Sequence, residues 1–387
     1  MYLGLDLGTS GLKGLLFDDA QNPVAEAVSP LTVSRPNDGW SEQAPVDWIT
    51  AAVAAIDALA AKADLSAVKG IGLSGHMHGA TMLDAPDQPL WPCILWNDTR
   101  AAAQARAMDG APEWRDVSGN IVFPGFTAPK VQWMRETHPD IFEQIKTVLL
   151  PKDYLRLWLT GEKVAEMSDA AGTSWLDTGA RDWSDELLTL SGLTRGMMPR
   201  LVEGTEVSGT LRPDLANRWG FASSVPVAGG AGDNAASAVG MGVVKPGQAF
   251  VSLGTSGVLF AACDGFQPDA GTAVHTFCHA LPGKWHQMGV ILAATDALNW
   301  WAQIVGSDAA TLTANLGALQ PPTKTLFLPY LGGERTPLNN ANVRGAFTGL
   351  DHATDRSAGT RAVLEGVAFA LADCRDALAA TGTDIET

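Results

Sequence analysis

Cysteine is scarce in this 387-residue chain: its four residues, Cys93, Cys263, Cys278 and Cys374, form no Cys-x-x-Cys pair, which excludes a disulfide framework and a dithiol redox motif. No apolar leader precedes the first strand candidate, so the protein is expected in the cytoplasm with reduced thiols. Long apolar runs are missing as well. The most apolar helical stretches, 51–61 and 289–305, are broken by Asp57 and Asp296 well short of a membrane span, and no membrane partner is expected. Positive charge is in deficit: 26 Lys and Arg against 42 Asp and Glu leave a net charge of −16, which opposes binding to the phosphate backbone of nucleic acid. Low-complexity tracts are absent, and Pro and Gly are spread along the chain rather than gathered in a linker. At 387 residues and 46% hydrophobic, the chain is expected to be globular with two domains or two large lobes.

What is present is a repeat. Leu-Gly-Thr-Ser-Gly occurs at residues 7–11 and again at 253–257, each time between two short apolar runs. Neither copy has the spacing of a Walker loop or a dinucleotide fingerprint, and each is followed by a strand-length run, so both read as turns of β-hairpins. A tight glycine turn can aim backbone N–H groups into an anion nest, with Thr and Ser adding hydroxyl donors. The alternative is an ordinary hairpin turn, and the matching contexts of the two copies weigh against it. The overall acidity repels a polyanion, so a local Lys or a divalent cation has to offset it, and Lys13 is placed to do so.

Strands and helices alternate after the first hairpin. A strand near 24–28 precedes a helix through Trp48, Val53, Ile56, Leu59 and Lys62, capped by Asp47. Runs at 68–73 and 92–96 read as strands ending in polar clusters, where sites tend to lie. Pro129 and Pro151 mark helix starts, and 360–380 carries a helical period. The segment 225–235 runs from a strand through a glycine loop into a small-residue helix, with Asp233 at its start. The helix dipole favours an ionised carboxylate there, which suits a weak general base or a mere cap.

The motifs Gly4-Leu5-Asp6-Leu7-Gly8-Thr9-Ser10-Gly11-Leu12-Lys13, Gly75-His76-Met77-His78-Gly79, Ile94-Leu95-Trp96-Asn97-Asp98, Pro124-Gly125-Phe126-Thr127-Ala128-Pro129-Lys130, Gly232-Asp233-Asn234-Ala235 and Leu331-Gly332-Gly333-Glu334-Arg335-Thr336-Pro337 together resemble the FGGY carbohydrate kinases. Residues 150–154, 252–257 and 361–366 extend the resemblance along nearly the whole chain. It implies an α/β, actin-like (ribonuclease-H-like) fold duplicated in two lobes, a sugar-binding one at 1–243 and a nucleotide-side one at 244–387, with ATP and sugar meeting between them. The wording at Met77-His78 and at 126–130 implies phosphorylation of D-xylulose at its terminal hydroxyl; L-ribulose, gluconate or a non-catalytic binding relic are the alternatives. By the same resemblance Asp233 is the base, and Met77, His78 and Asn234 contact the sugar; Trp96, Asp98 and Arg100 line its pocket, or else are a buried Trp beside a helix-capping Asp. Asp6 holds Mg²⁺, and Thr9, Ser10, Lys13, Gly254, Thr255 and Ser256 contact phosphate. A homodimer is also expected.

Other residues read both ways. His275 and His279 flank Cys278 at a spacing that suits two ligands on one helix face, with packing as the simpler reading. Glu334-Arg335 reads as a moving cleft loop or as a surface ion pair. No Gly-Gly-Gly occurs, so the family's adenine-cradling segment is expected to be missing, the second lobe incomplete, and its sheet edge open.

Overall fold

The computed structural model describes residues 1–314 and 316–386 and divides into two compact units, 1–240 with 277–284, and 241–276 with 285–387.

In the first unit, β1 (Tyr2–Gly8) and β2 (Gly11–Phe17) form an antiparallel hairpin, and β3 (Pro23–Pro30) adds to β2. Leu3, Leu5 and Leu7 alternate with Gly4, Asp6 and Gly8, so one face is fully apolar and the other small and polar. Helix α1 (Pro45–Ala60) covers the apolar face with Trp48, Ala52, Ile56 and Leu59. It begins at Pro45, where the fixed φ of proline suits the first turn. Asp47 therefore lies inside that turn and does not provide the cap expected from sequence; Ala44 holds the cap position.

Strand β4 (Ile71–Gly75) runs parallel to β1 after the α1 crossover. Helices α2 (Thr127–Thr137) and α3 (Pro151–Thr160) follow. Strands β5 (Val207–Thr210) and β6 (Pro226–Ala228) extend the sheet, giving the order β5-β6-β4-β1-β2-β3. A short strand β7 (Ala231–Gly232) pairs with the end of β4 and leads into helix α4 (Asp233–Gly240). The run at 92–96 contributes only the two-residue strand Cys93–Ile94.

The second unit repeats the opening motif. Strands β8 (Ala249–Leu253) and β9 (Gly257–Cys263) form an antiparallel hairpin around the second Leu-Gly-Thr-Ser-Gly. With β10 (His275–Cys278) and β11 (Trp285–Ile291) they form a sheet of order β8-β9-β11-β10. Strand β8 has β9 as its one neighbour among the described residues, and its Val251 and Leu253 are exposed. The apolar stretch 289–305 is not one helix: β11 ends at Ile291, and α5 (Thr295–Ile304) starts afterwards. Helix α6 (Arg356–Ala380) packs Ala370, Cys374 and Leu378 into this unit's core. Glu334 is buried rather than part of a surface pair; its carboxylate accepts from the backbone N–H groups of Leu292 (2.9 Å) and Arg335 (2.7 Å). No helix among the described residues is long and apolar enough to cross a membrane.

Truncating Leu5 to Ala in the core under α1 is expected to cost about 2–5 kcal/mol, because a cavity adds to the lost transfer energy. Val28→Ala, at a position 65% exposed, should stay within about 0.5 kcal/mol of the parent. Urea unfolding followed by tryptophan fluorescence checks both, and equal midpoints for the two variants would contradict this assignment of the core.

Candidate active site

The two-residue period of β1 sends Asp6 to the face opposite Leu5 and Leu7. There it accepts a hydrogen bond from the Ser74 hydroxyl (2.6 Å) and makes no ion pair among the described residues. Lys13 lies across the hairpin in register with Asp6, its ammonium 3.3 Å from Glu26. That pair is about half exposed on both sides, so water screens it and Lys13 stays free to exchange partners. Asp6, Lys13 and Ser74 line one pocket of about 600 Å³, together with Gly72, Gly230 and Ala231.

The first turn is held from outside. Gln43 donates to the Thr9 carbonyl (2.7 Å), Leu31 N–H to the Ser10 carbonyl (2.9 Å), and the Trp96 indole to the Thr9 hydroxyl (3.0 Å). None of residues 8–11 has positive φ, and neither do residues 254–257. An alternating right- and left-handed nest is therefore missing from both turns. What each turn offers is the hydroxyl groups of its Thr and Ser on a hairpin.

In the second unit the turn is fastened to a helix start. The Gly254 carbonyl accepts from Thr295 N–H (3.0 Å) and the Thr295 hydroxyl (2.6 Å), and the Thr255 carbonyl accepts from Ala294 N–H (2.8 Å). Two donors at the start of α5 that would otherwise be orphaned are satisfied this way, and Thr255 and Ser256 remain exposed.

Asp233 opens α4, as its position after the glycine loop predicts. The dipole does not win at this carboxyl. Neighbouring protein strips its hydration and pushes its pKa up to about 6, Asp6 adding to the rise; the hydrogen bonds from Asn234 oppose it. Asp233 is itself exposed, so it is the protein packed around the carboxyl, and not enclosure of the whole residue, that raises it. The loop before it is tightly built. Gly230 has φ of +76°, and a Cβ there would lie 2.0 Å from the Leu73 carbonyl oxygen. At Gly232 a Cβ would lie 2.9 Å from the Met77 sulfur, so the absent side chain lets buried Met77 lie against the loop.

His78 takes the left-handed region (φ 69°) and stacks on Phe126, with ring centroids 4.5 Å apart. Its Nδ1 lies 2.7 Å from the Gly172 carbonyl, which fixes the ring's edge. Its own carbonyl accepts from Lys130 Nζ (2.8 Å) and Thr127 (3.2 Å). Burial pulls the Lys130 ammonium down to about 7. Met77 is thus brought against the loop that carries Asp233 and Asn234, while the His78 ring is held by Gly172 and Phe126.

Arg100 is not. Its guanidinium is 1% exposed, pairs with Asp98 and Glu42 at 2.7 Å each, and lies 3.5 Å over the Trp40 ring. Asp98 is equally buried and also accepts from Ser41 N–H (2.6 Å). The sugar-lining roles expected for Arg100 and Asp98 therefore give way to a buried ion pair that ties two loops. Trp96 is 47% exposed and belongs with the first turn through Thr9. His275 and Cys278 bound a strand, not a helix, so their spacing does not produce the expected shared helix face. Among the described residues no three His, Cys, Asp or Glu side chains gather into a metal-holding set.

Sequence reasoning passed over a charge cluster below the loop. Lys152 lies 2.8 Å from Asp153, 3.0 Å from Asp169 and 3.3 Å from Glu166, all four side chains fully buried. Burial pulls Lys152 down, but the three carboxylates outweigh it and hold the ammonium charged. Burial also pushes Asp153 up and Asp169 well up, which lets one proton offset the excess of carboxylates over Lys152 and Arg156. The available signal was Lys152, Asp153 and Arg156 recurring at helical spacing beside Leu155 and Leu159, on the face α3 buries.

The FGGY family of carbohydrate kinases matches by its N-terminal domain at residues 1–240 and by its C-terminal domain at residues 249–387. The xylulose kinase of Escherichia coli (strain K12) is 50% identical over 385 residues, 99% of this chain and 79% of that protein. The crystal structure of a xyloylose kinase from Brucella ovis superposes with a TM-score of 0.98 at 62% identity, over 99% of this chain and 80% of its own. The xylulose kinase structure from Rhodospirillum rubrum gives a TM-score of 0.93 at 28% identity, over 100% of this chain and 80% of its own. The actin-like duplicated fold stands. The missing triple glycine does not signal absence of the family's C-terminal domain, which is matched along 249–387.

Replacing Lys152 by Met would leave three buried carboxylates without their ammonium, and the expected loss is about 3–5 kcal/mol. Thermal and urea unfolding of the variant check this; an unchanged midpoint would show that the cluster is solvated or otherwise compensated.

Proposed function

Because this chain belongs to the FGGY family of carbohydrate kinases, we propose that it transfers the γ-phosphoryl group of ATP to the terminal hydroxyl of D-xylulose, giving D-xylulose 5-phosphate. The supporting observation is Asp233, a carboxyl raised to about 6 at the start of α4, with Met77 against its loop. A base of that strength suits phosphoryl transfer, since the attacking hydroxyl loses its proton late. The xylulose kinases among the relatives support the ketose.

Asp6 fits as the holder of Mg²⁺. It offers one hard carboxylate, oriented by Ser74 and facing the same pocket as Lys13, and phosphate or water oxygens would complete the shell. When bound, the cation supplies charge neutralisation at the phosphate oxygens. Lys13 adds positive charge there once it leaves Glu26, and the hydroxyls of Thr9 and Ser10 donate to phosphate oxygens. Gly254, Thr255 and Ser256 take the corresponding phosphate role in the second unit. Met77, His78 and Asn234 orient the sugar, and Trp96 supports Thr9. The lobes divide at 243/244. Four buried, free cysteines suit the reducing cytoplasm, where a homodimer is the assembly proposed.

ADP release in the presence of ATP, Mg²⁺ and a panel of ketoses and polyols tests the substrate. D-xylulose should turn over fastest, and faster turnover of L-ribulose or gluconate would overturn the reading. Asp233→Ala should abolish turnover while leaving sugar binding largely intact. The raised pKa fixes the sign of the pH dependence: the base is protonated and lost as pH falls through about 6, so kcat/KM should drop about tenfold per pH unit below that point. An acid limb in the ordinary Asp range would contradict the raised pKa, and retained turnover in Asp233→Ala would remove Asp233 as the base. Lys13→Met should lower kcat through lost charge compensation, and an unchanged rate would take Lys13 out of the site.

A further inference from the structure

The glycine loop before Asp233 is gripped at both ends by side chains that the proposed chemistry leaves unused. At its start, buried Arg156 donates to the Ala228 carbonyl (2.7 Å) and to the Gly229 carbonyl. At its end, Gly232 N–H donates to the Ser168 hydroxyl oxygen (3.0 Å), and Ser168 is fully buried. The Ser168 hydroxyl in turn donates to the Glu166 carboxylate (2.8 Å), which also accepts from the N–H groups of Ser168 (2.7 Å) and Asp169 (2.9 Å). Glu166 lies 3.3 Å from Lys152, and Asp153 joins Lys152 to Arg156. An unbroken set of hydrogen bonds and ion pairs therefore runs from one end of the loop, through the buried cluster, to the other.

Its geometry is more specific than core filling requires. Ser168 uses both capacities of its hydroxyl, accepting from the backbone N–H next to Asp233 and donating to a charged partner that is itself pinned. A water molecule could replace neither at a fully buried site without moving the loop. We propose that Ser168 is a positioning residue for phosphoryl transfer: through Gly232 N–H it fixes the first residue of α4 to the Lys152 cluster and so sets where the Asp233 carboxylate points. This rests on the reading of Asp233 as the base.

The test compares Ser168→Ala and Asp233→Asn in the full chain with ATP, Mg²⁺ and D-xylulose. Ser168→Ala should lower kcat about ten- to a hundredfold, as expected for a displaced catalytic group, with KM for the sugar changed less than about twofold. Amide hydrogen exchange of the 229–234 segment should accelerate while that of β1 does not. If Ser168→Ala fails to fold, Ser168→Cys, which keeps the size and weakens the acceptor, should show the same split in smaller measure. A folded Ser168 variant with parental kcat, or one losing kcat and sugar affinity equally with exchange raised throughout the first unit, overturns the proposal. Asp233→Asn separates the two readings: loss of its turnover beside a neutral Ser168→Ala sinks the positioning role alone, whereas retained turnover in Asp233→Asn sinks the base and the positioning together.

Discussion

The ammonium of Lys152, sealed from water among Asp153, Glu166 and Asp169, is the interaction on which the arrangement of the first unit's site depends. Charges are buried at this depth only when geometry compensates for lost hydration, and here every member of the cluster is also tied to backbone or to another charge. The result is a stiff floor beneath a loop made of glycines. Without that floor, the residues from Gly229 to Gly232 would have the greatest conformational freedom in the chain at the point where direction matters most. With it, the loop passes within contact distance of Leu73 and Met77 and delivers Asp233 to the end of the sheet.

The chemistry follows from that placement. A carboxylate at a helix start would ordinarily be a weaker base than a free Asp, since the dipole and the Asn234 amide favour its ionised form. Crowding reverses the sign, and Asp6 contributes a like charge in the same direction. Asp6 and Asp233 thus have separate surroundings: Asp6 faces the pocket beside Lys13 and suits a hard cation, whereas the protein around Asp233 favours its protonated form. Placing titratable groups in unlike surroundings is how a site divides roles between two carboxyls.

Much of this was legible in the sequence, for reasons that are local. The duplicated Leu-Gly-Thr-Ser-Gly sits between period-two runs, and such runs fold as hairpins largely by their own pattern, as β1–β2 and β8–β9 do. Asp233 was visible because glycines and small residues surround it, and Lys13 because register alone puts it opposite Asp6. The buried cluster was not, since Glu166 and Asp169 come from a different segment than Lys152 and meet it only through tertiary packing. Arg100 was misplaced for the same reason: its partners Glu42 and Trp40 are distant in sequence, and nothing near Arg100 announces them. The stretch 289–305 misled because an apolar strand followed by an apolar helix has the composition of one long helix.

The central claim is that the cluster and its loop hold Asp233 as a dehydrated carboxyl poised near neutrality. The direct measurement is a carbon-13 NMR titration of the aspartate carboxyl groups, with the Asp233 resonance assigned by its loss in Asp233→Asn. A resonance titrating at about 6 is the predicted result. Titration in the ordinary range of an exposed aspartate, about 4, would contradict it and return Asp233 to the role of a helix cap.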